Sequence, residues 1–204
     1  MSMIKSTTGT EALEESEVAL VVYFVRHGQA GGPDVNEMLG PPLTRLGEHQ
    51  ASRVGERLSK ETFTHIYTSD LAHAYDTTRA ILKYHDNTPY TVTTDIREVT
   101  HYNFIKEAVP RPSMKKVLKK EADAIDHFSS YLRHVHKPGE QVLVVCHGNL
   151  IRSIVPVLGG KDPRESVLID INNTAVSIVD VWPSGEAVIK LANCTKHLLP
   201  RQVT

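Results

Sequence analysis

Two short stretches of the chain are apolar without a break. Leu20-Val21-Val22-Tyr23-Phe24-Val25 runs into Arg26-His27-Gly28, and Val142-Leu143-Val144-Val145-Cys146 runs into His147-Gly148. Short runs dominated by β-branched and aromatic residues, closed by polar residues and glycine, predict buried parallel strands whose C-terminal ends open into loops. Elsewhere the period changes. Thr44 is a natural N-cap, Gly47-Glu48-His49-Gln50 forms a first turn, and Ala51, Val54 and Leu58 follow at helical spacing to about Lys60. Thr64–Thr68 predicts a second strand. Asp70–Tyr84 predicts a helix, with Ser69 and Asp70 as caps and Leu71, Ala74, Thr78 and Ile81 or Leu82 facing inward.

Tyr90–Thr93 reads as a weak strand and Ser113–Val135 as a long helix. Lys115, Lys116, Lys119 and Lys120 lie on that helix as a solvated basic face. Asn149 caps a further helix that runs to Leu158 and stops at Gly159-Gly160. Val167–Ile171, Thr174–Val181 and Ala187–Leu191 read as three more strands. Strand and helix alternate, which predicts a three-layer α/β/α sandwich around a mainly parallel sheet. Residues 1–17, rich in Ser, Thr and Glu, read as a flexible tail ahead of one domain over 18–204. Gly28–Pro42, rich in glycine and proline, reads as a long functional loop.

Composition narrows the classes. In 204 residues, 40% are apolar and the net charge is −1, which gives no reason to expect a nucleic-acid or anionic-membrane partner. No apolar run approaches the ~20 residues that span a bilayer. Cys146 and Cys194 have no paired spacing, so a reducing, cytoplasmic setting is expected. No Asp, Glu, His or Cys grouping along the chain has metal-ligand spacing, and none of the glycine-rich segments is a P-loop. Neither a metal nor a cofactor is expected.

The candidate chemistry lies in the two His-Gly pairs. In a parallel sheet both histidines emerge at the same edge, and ligand sites form outside the carboxyl ends of strands. An arginine and two imidazoles suit a tetrahedral anion such as phosphate, and a neutral imidazole nitrogen is a competent nucleophile at phosphorus.

Five segments, in order, carry a family resemblance. Val25-Arg26-His27-Gly28, Pro42-Leu43-Thr44-Arg45-Leu46-Gly47-Glu48-His49-Gln50-Ala51, Tyr67-Thr68-Ser69-Asp70-Leu71-Ala72-His73-Ala74, Ile96-Arg97-Glu98 and Val145-Cys146-His147-Gly148-Asn149-Leu150-Ile151-Arg152 together resemble the histidine phosphatase superfamily, the phosphoglycerate-mutase-like fold. The resemblance implies that His27 attacks phosphorus and becomes a phosphohistidine, its other ring nitrogen held by a backbone carbonyl. It implies Glu98 as general acid and base, Arg26 and His147 as ligands of the phosphoryl oxygens, and Asn149 as a further polar contact. It implies no metal. The third segment departs from the family, which has an arginine where His73 stands. An imidazole offers one donor in place of a planar fork, so weaker phosphate binding and activity that falls with rising pH are expected. Arg79 lies on the wrong helix face to substitute.

Within the family, the context of His147 and the Asn172-Asn173 segment resemble the PGAM5-like branch, which includes protein serine/threonine phosphatases; that branch's membrane anchor is not expected here. The short span from Glu98 to His147, and Lys115-Lys116 as poor stand-ins for the mutases' arginines, favour hydrolysis over mutase chemistry. The expected partner is a phosphorylated protein or a small phosphoester, at a site rimmed by Gly28–Pro42 and Val99–Pro112. A phosphoglycerate mutase and a phosphate-binding scaffold disabled by His73 stay as alternatives. A homodimer is left open.

Overall fold

In the computed structural model, residues 18–32, 39–100, 112–162, 165 and 169–204 are described. The expected tail at 1–17, and parts of the expected rim at Gly28–Pro42 and Val99–Pro112, lie outside them. The sheet has six strands in the order β3-β2-β4-β1-β5-β6. These are β1 (Leu20–Arg26), β2 (His65–Ser69), β3 (Tyr90–Thr93), β4 (Gln141–Cys146), β5 (Val176–Val181) and β6 (Ala187–Cys194). The helices are α1 (Arg45–Leu58), α2 (Ala72–Leu82), α3 (Pro112–Val135) and α4 (Gly148–Leu158). β1, β4, β2 and β3 run parallel, whereas β5 and β6 pair antiparallel, β5 against β1.

The unbroken apolar runs have their cause in the two layers of helix. Alternate residues of a strand point to opposite faces. Val22, Phe24, Val142, Val144 and Cys146 pack with Ile125, Phe128 and Leu132 of α3 and Leu150, Ile151 and Ile154 of α4. Their neighbours Tyr23, Val25, Leu143 and Val145 pack on the other face with Val54 and Leu58 of α1 and Ile81 of α2. A strand covered on both faces has no position for a polar residue until it leaves the sheet.

The order of the strands creates the site. From β1 the chain crosses to β2 on one side, and from β4 it crosses to β5 on the other, with β1 and β4 adjacent between them. The crevice at such a switch point is where open α/β sheets bind ligands. The register Arg26↔Cys146 brings both His-Gly pairs out side by side, and His27 N–H donates to Cys146 O at 2.9 Å.

Three local expectations change. Ser69 and Asp70 do not cap α2; Leu71 holds the N-cap position with no side-chain bond, because both polar side chains are engaged elsewhere. His147, not Asn149, holds the N-cap position of α4. Of the strand expected at Val167–Ile171, the described part, residues 169–171, is irregular, and Ile169 and Ile171 turn their carbonyls to arginines. Lys115, Lys116, Lys119 and Lys120 are exposed, with Lys119 paired to Asp123.

Candidate active site

His27 leaves β1 between two backbones that touch. A Cβ on Gly28 would lie 2.6 Å from Gly47 O, and one on Gly47 would lie 2.0 Å from Gln29 O. Only glycine at both positions lets the strand exit rest on the first turn of α1, which Thr44 caps by accepting Gly47 N–H at 3.1 Å. Gly28 N–H donates to Thr77 Oγ1 at 3.0 Å, and Thr77 O–H donates to His73 O at 2.7 Å, tying the exit to α2.

The ring of His27 is oriented by its own neighbour. Nδ1 lies 2.7 Å from Gly28 O. A carbonyl only accepts, so Nδ1 carries the proton and Nε2 carries the lone pair. His73 is held the same way, Nδ1 donating to Pro41 O at 3.0 Å. His147 Nε2 lies 3.0 Å from Ser69 Oγ. The centroid of the His27 ring is 4.1 Å from that of His73 and 5.1 Å from that of His147. The third pair, His73 and His147, is 5.2 Å apart. All three histidines are buried. Burial, then mutual repulsion with His73 and His147, holds His27 well below the usual histidine pKa. Burial, reinforced by His73 and Arg26, pushes His147 down to about 3. Both are neutral near pH 7.

Arg26 extends beside them. Its Nη1 donates to Ile171 O at 2.6 Å, while its buried Nε has no partner among the described residues. A buried, unpartnered guanidinium donor is costly unless a ligand accepts from it. Glu98 completes the set. Its Oε1 accepts N–H bonds from Val99 (3.1 Å), Asn149 (3.2 Å) and Leu150 (3.3 Å), which seats the carboxylate on the first turn of α4. The residue as a whole keeps an exposed face. Desolvation of the carboxyl nevertheless outweighs those bonds and Arg26, so its pKa is raised.

Asn149 stands beside Glu98. Its Nδ2 donates to Val99 O at 3.2 Å and its Oδ1 accepts from Arg152 at 2.9 Å, so the side chain anchors the Glu98 loop. Arg79 is exposed beside Asp76, outside the cluster. Four supporting residues escape sequence reasoning. Ser69, which reads as a cap, bonds His147. Gln50, fully buried, accepts Gln29 N–H at 2.8 Å and donates to Gln202 O at 2.6 Å. Asn173 Nδ2 donates to His27 O at 2.9 Å. Thr174, buried with a φ of 54°, donates its N–H to Arg26 O at 2.9 Å. A β-branched residue in the left-handed region is strained, and such strain gathers at functional sites.

Spacing along the chain shows no metal-ligand grouping, but the fold brings three histidines together in space. One ring nitrogen from each of His27, His73 and His147 lies within 4.8 Å of the others. They come from the end of β1, the start of α2 and the end of β4, so spacing along the chain cannot reveal them.

The sequence profile of the histidine phosphatase superfamily (branch 1) matches residues 22–109 and 103–195. The serine/threonine-protein phosphatase PGAM5, mitochondrial, of Xenopus tropicalis is 24% identical over 227 aligned positions, covering 100% of this chain and 77% of that protein. Phosphoglycerate mutase-like protein 4 of Arabidopsis thaliana is 26% identical, covering 96% and 93%. Among solved structures, a mycobacterial glucosyl-3-phosphoglycerate phosphatase in complex with VO3 superposes with a TM-score of 0.65 at 20% identity, covering 87% of this chain and 100% of its own. A phosphoserine phosphatase from Entamoeba histolytica, in complex with 3-phosphoglyceric acid, superposes with a TM-score of 0.67 at 18% identity, covering 88% and 100%. These last two likenesses concern the fold.

Proposed function

The chain belongs to the histidine phosphatase superfamily, and from that premise we propose that it hydrolyses phosphomonoesters through a phosphohistidine on His27. The observation that carries the reading is the bond from His27 Nδ1 to Gly28 O, which leaves the Nε2 lone pair as the reactive nitrogen beside His147, His73 and the unpartnered Nε of Arg26. In the first step Nε2 bonds to phosphorus as the ester P–O bond breaks, and protonated Glu98 gives its proton to the leaving oxygen. In the second, water attacks phosphorus, its proton goes to the Glu98 carboxylate, and the N–P bonding pair returns to Nε2. Arg26 and His147 hold the equatorial oxygens while charge is redistributed. Desolvation raises the pKa of Glu98, which favours the protonated form that the first step needs.

His73 contributes charge only when its ring is protonated, because its Nδ1 donor is already given to Pro41 O. In the neutral ring Nε2 is an acceptor, unable to donate to a phosphate oxygen. The substrate class is a phosphoprotein or a small phosphoester, in keeping with the phosphatases named among the relatives. Lys115 and Lys116, poor stand-ins for a mutase's arginines, are exposed on α3.

The test is hydrolysis of an aryl phosphate at mildly acid pH with His27→Ala as control. Turnover, with an acid-labile phosphoenzyme that His27→Ala cannot form, is the expected result. No turnover and no phosphoenzyme would overturn this reading and favour a phosphate-binding scaffold. Activity on phosphoglycerates that requires 2,3-bisphosphoglycerate would establish a mutase.

A further inference from the structure

We propose that His27, His73 and His147 form a binding site for a divalent transition metal, zinc above others, and that its occupancy shuts off phosphoryl transfer at His27. Three imidazoles with nitrogens within 4.8 Å of one another stand near the spacing such an ion requires. Tetrahedral zinc with bonds of about 2.0–2.1 Å holds its ligand nitrogens about 3.4 Å apart. Nitrogens at the outer end of that range must move inward to bind one ion together.

The surroundings of the rings fit ligands. A metal-bound histidine almost always donates its other N–H to a backbone carbonyl, a carboxylate or water, which fixes the tautomer. His27 donates from Nδ1 to Gly28 O, and His73 donates from Nδ1 to Pro41 O. Each is thereby oriented to offer Nε2. The site is buried, and imidazole nitrogen suits zinc, copper, iron and nickel but not magnesium or calcium. Arg26 opposes a cation here. The Glu98 carboxylate interacts with it and offsets part of that repulsion. Three neutral ligands leave the fourth position of a tetrahedral ion for water.

The substitution at His73 is what makes the site. With an arginine there, only two imidazoles would remain, next to a permanent cation without a lone pair. The regulatory consequence rests on the phosphatase reading and follows from one atom. His27 Nε2 has a single lone pair, which cannot bond zinc and phosphorus together. Zinc and the phosphoester are therefore competitors for it.

The test uses the full chain, stripped with a chelator and assayed for aryl phosphate hydrolysis in metal-free buffer. Zinc is expected to inhibit competitively at one ion per chain, and magnesium is expected to have no effect. Cobalt titrated into the stripped protein should give the strong visible bands of four-coordinate Co²⁺, displaced by zinc. His73→Arg should raise the zinc needed for half-inhibition by more than about 100-fold, beyond the 10–100-fold that loss of an outer partner costs. His73→Gln, smaller and uncharged, should also abolish the cobalt bands and guards against misfolding of the arginine variant. Absence of the bands in the wild-type protein, or zinc inhibition unchanged in both variants, would overturn the proposal. The two readings fail separately. A stripped protein that is inactive yet gives cobalt bands retains the metal site and loses the phosphatase, and an active one without bands does the reverse.

Discussion

At the scale of single residues, the site works through nitrogens whose protonation is set by what they touch. His27 and His147 are neutral because burial and mutual repulsion hold their pKa values down, and the Glu98 carboxyl is shifted the other way by desolvation. The proposed nucleophile must be neutral, so activity is lost as pH falls through the depressed pKa of His27. The proposed acid must be protonated, so activity is lost as pH rises through the raised pKa of Glu98. The two groups bound kcat/KM from opposite sides, His27 on the acid limb and Glu98 on the alkaline limb, and a pH–rate profile checks it. Glu98→Gln should remove the alkaline limb and lower kcat by about 10²–10⁴-fold for a substrate with a poor leaving group. An aryl phosphate with a good leaving group should lose less, because its oxygen needs no proton. Equal losses on both substrates would argue against Glu98 as the acid. His73→Arg should raise turnover, since a guanidinium brings a permanent charge and a planar fork of donors to the phosphate, and should leave the alkaline limb of Glu98 in place. A variant with unchanged rate would show that His73 does not meet the phosphate.

At the scale of elements, the site depends on how closely the exit of β1 meets α1. Alanine at Gly47 would gain up to about 1 kcal/mol in helix propensity. Its Cβ would lie 2.0 Å from Gln29 O, a contact that backbone on both sides must yield to relieve. The clash wins, and Gly47→Ala should lower stability by about 1–3 kcal/mol or more, read from urea denaturation. Gln50 presents the opposite case, a polar side chain in a fully buried place that is tolerated because it is bonded. It accepts from Gln29 N–H and donates to Gln202 O and Thr204 Oγ1. Gln50→Leu keeps the bulk and orphans those partners, at a cost of about 1–3 kcal/mol each where the partner stays buried. A thermal shift near zero would mean that water replaces the lost bonds. α4 shows the same economy of partners. With Asn149 turned to Val99 O and Arg152, the first turn of the helix gives its N–H groups to the Glu98 carboxylate. The helix terminus and the proposed acid are thus one feature.

At the scale of the whole molecule, buried neutral histidines make the fold sensitive to acid. His147 is held at about 3 and His197, half-buried and beside Arg57 and Arg53, at about 4, whereas an unfolded chain titrates them near 6.5. Below that value the unfolded state binds protons that the folded state refuses. Their contribution is complete above pH 6.5 and is lost as pH falls toward the folded values. For His147, fully buried, the slope reaches about 1.4 kcal/mol per pH unit. Asp70, lowered by its bond to Arg97, acts in the same direction at lower pH. The melting temperature should therefore drop steadily from pH 6.5 to pH 4, and His197→Asn should make that drop shallower. A flat melting curve over this range would refute the assignment. Among the described residues, no helix is long and apolar enough to cross a membrane.

What the sequence determined by itself was local. Strand and helix were legible because periodicity is a property of neighbouring residues. The two apolar runs required helices on both faces, and the Thr44 cap and the glycine stops fell where short-range chemistry puts them. The motif order from Arg26 to Arg152 identified the family and named His27, Glu98 and His147. The tertiary structure decided what depends on remote contacts. Strand order set β1 beside β4, more than a hundred residues away in the chain, and turned β5 and β6 antiparallel. Packing took Ser69 from a cap to a partner of His147 and bonded the Asn149 side chain to Val99 O. It bonded the Nδ1 atoms of His27 and His73 to carbonyls and so chose their tautomers. It also gathered three histidines from three elements into one cluster, which no spacing along the chain could show, because distance in space between remote segments is fixed only when the sheet closes around its core.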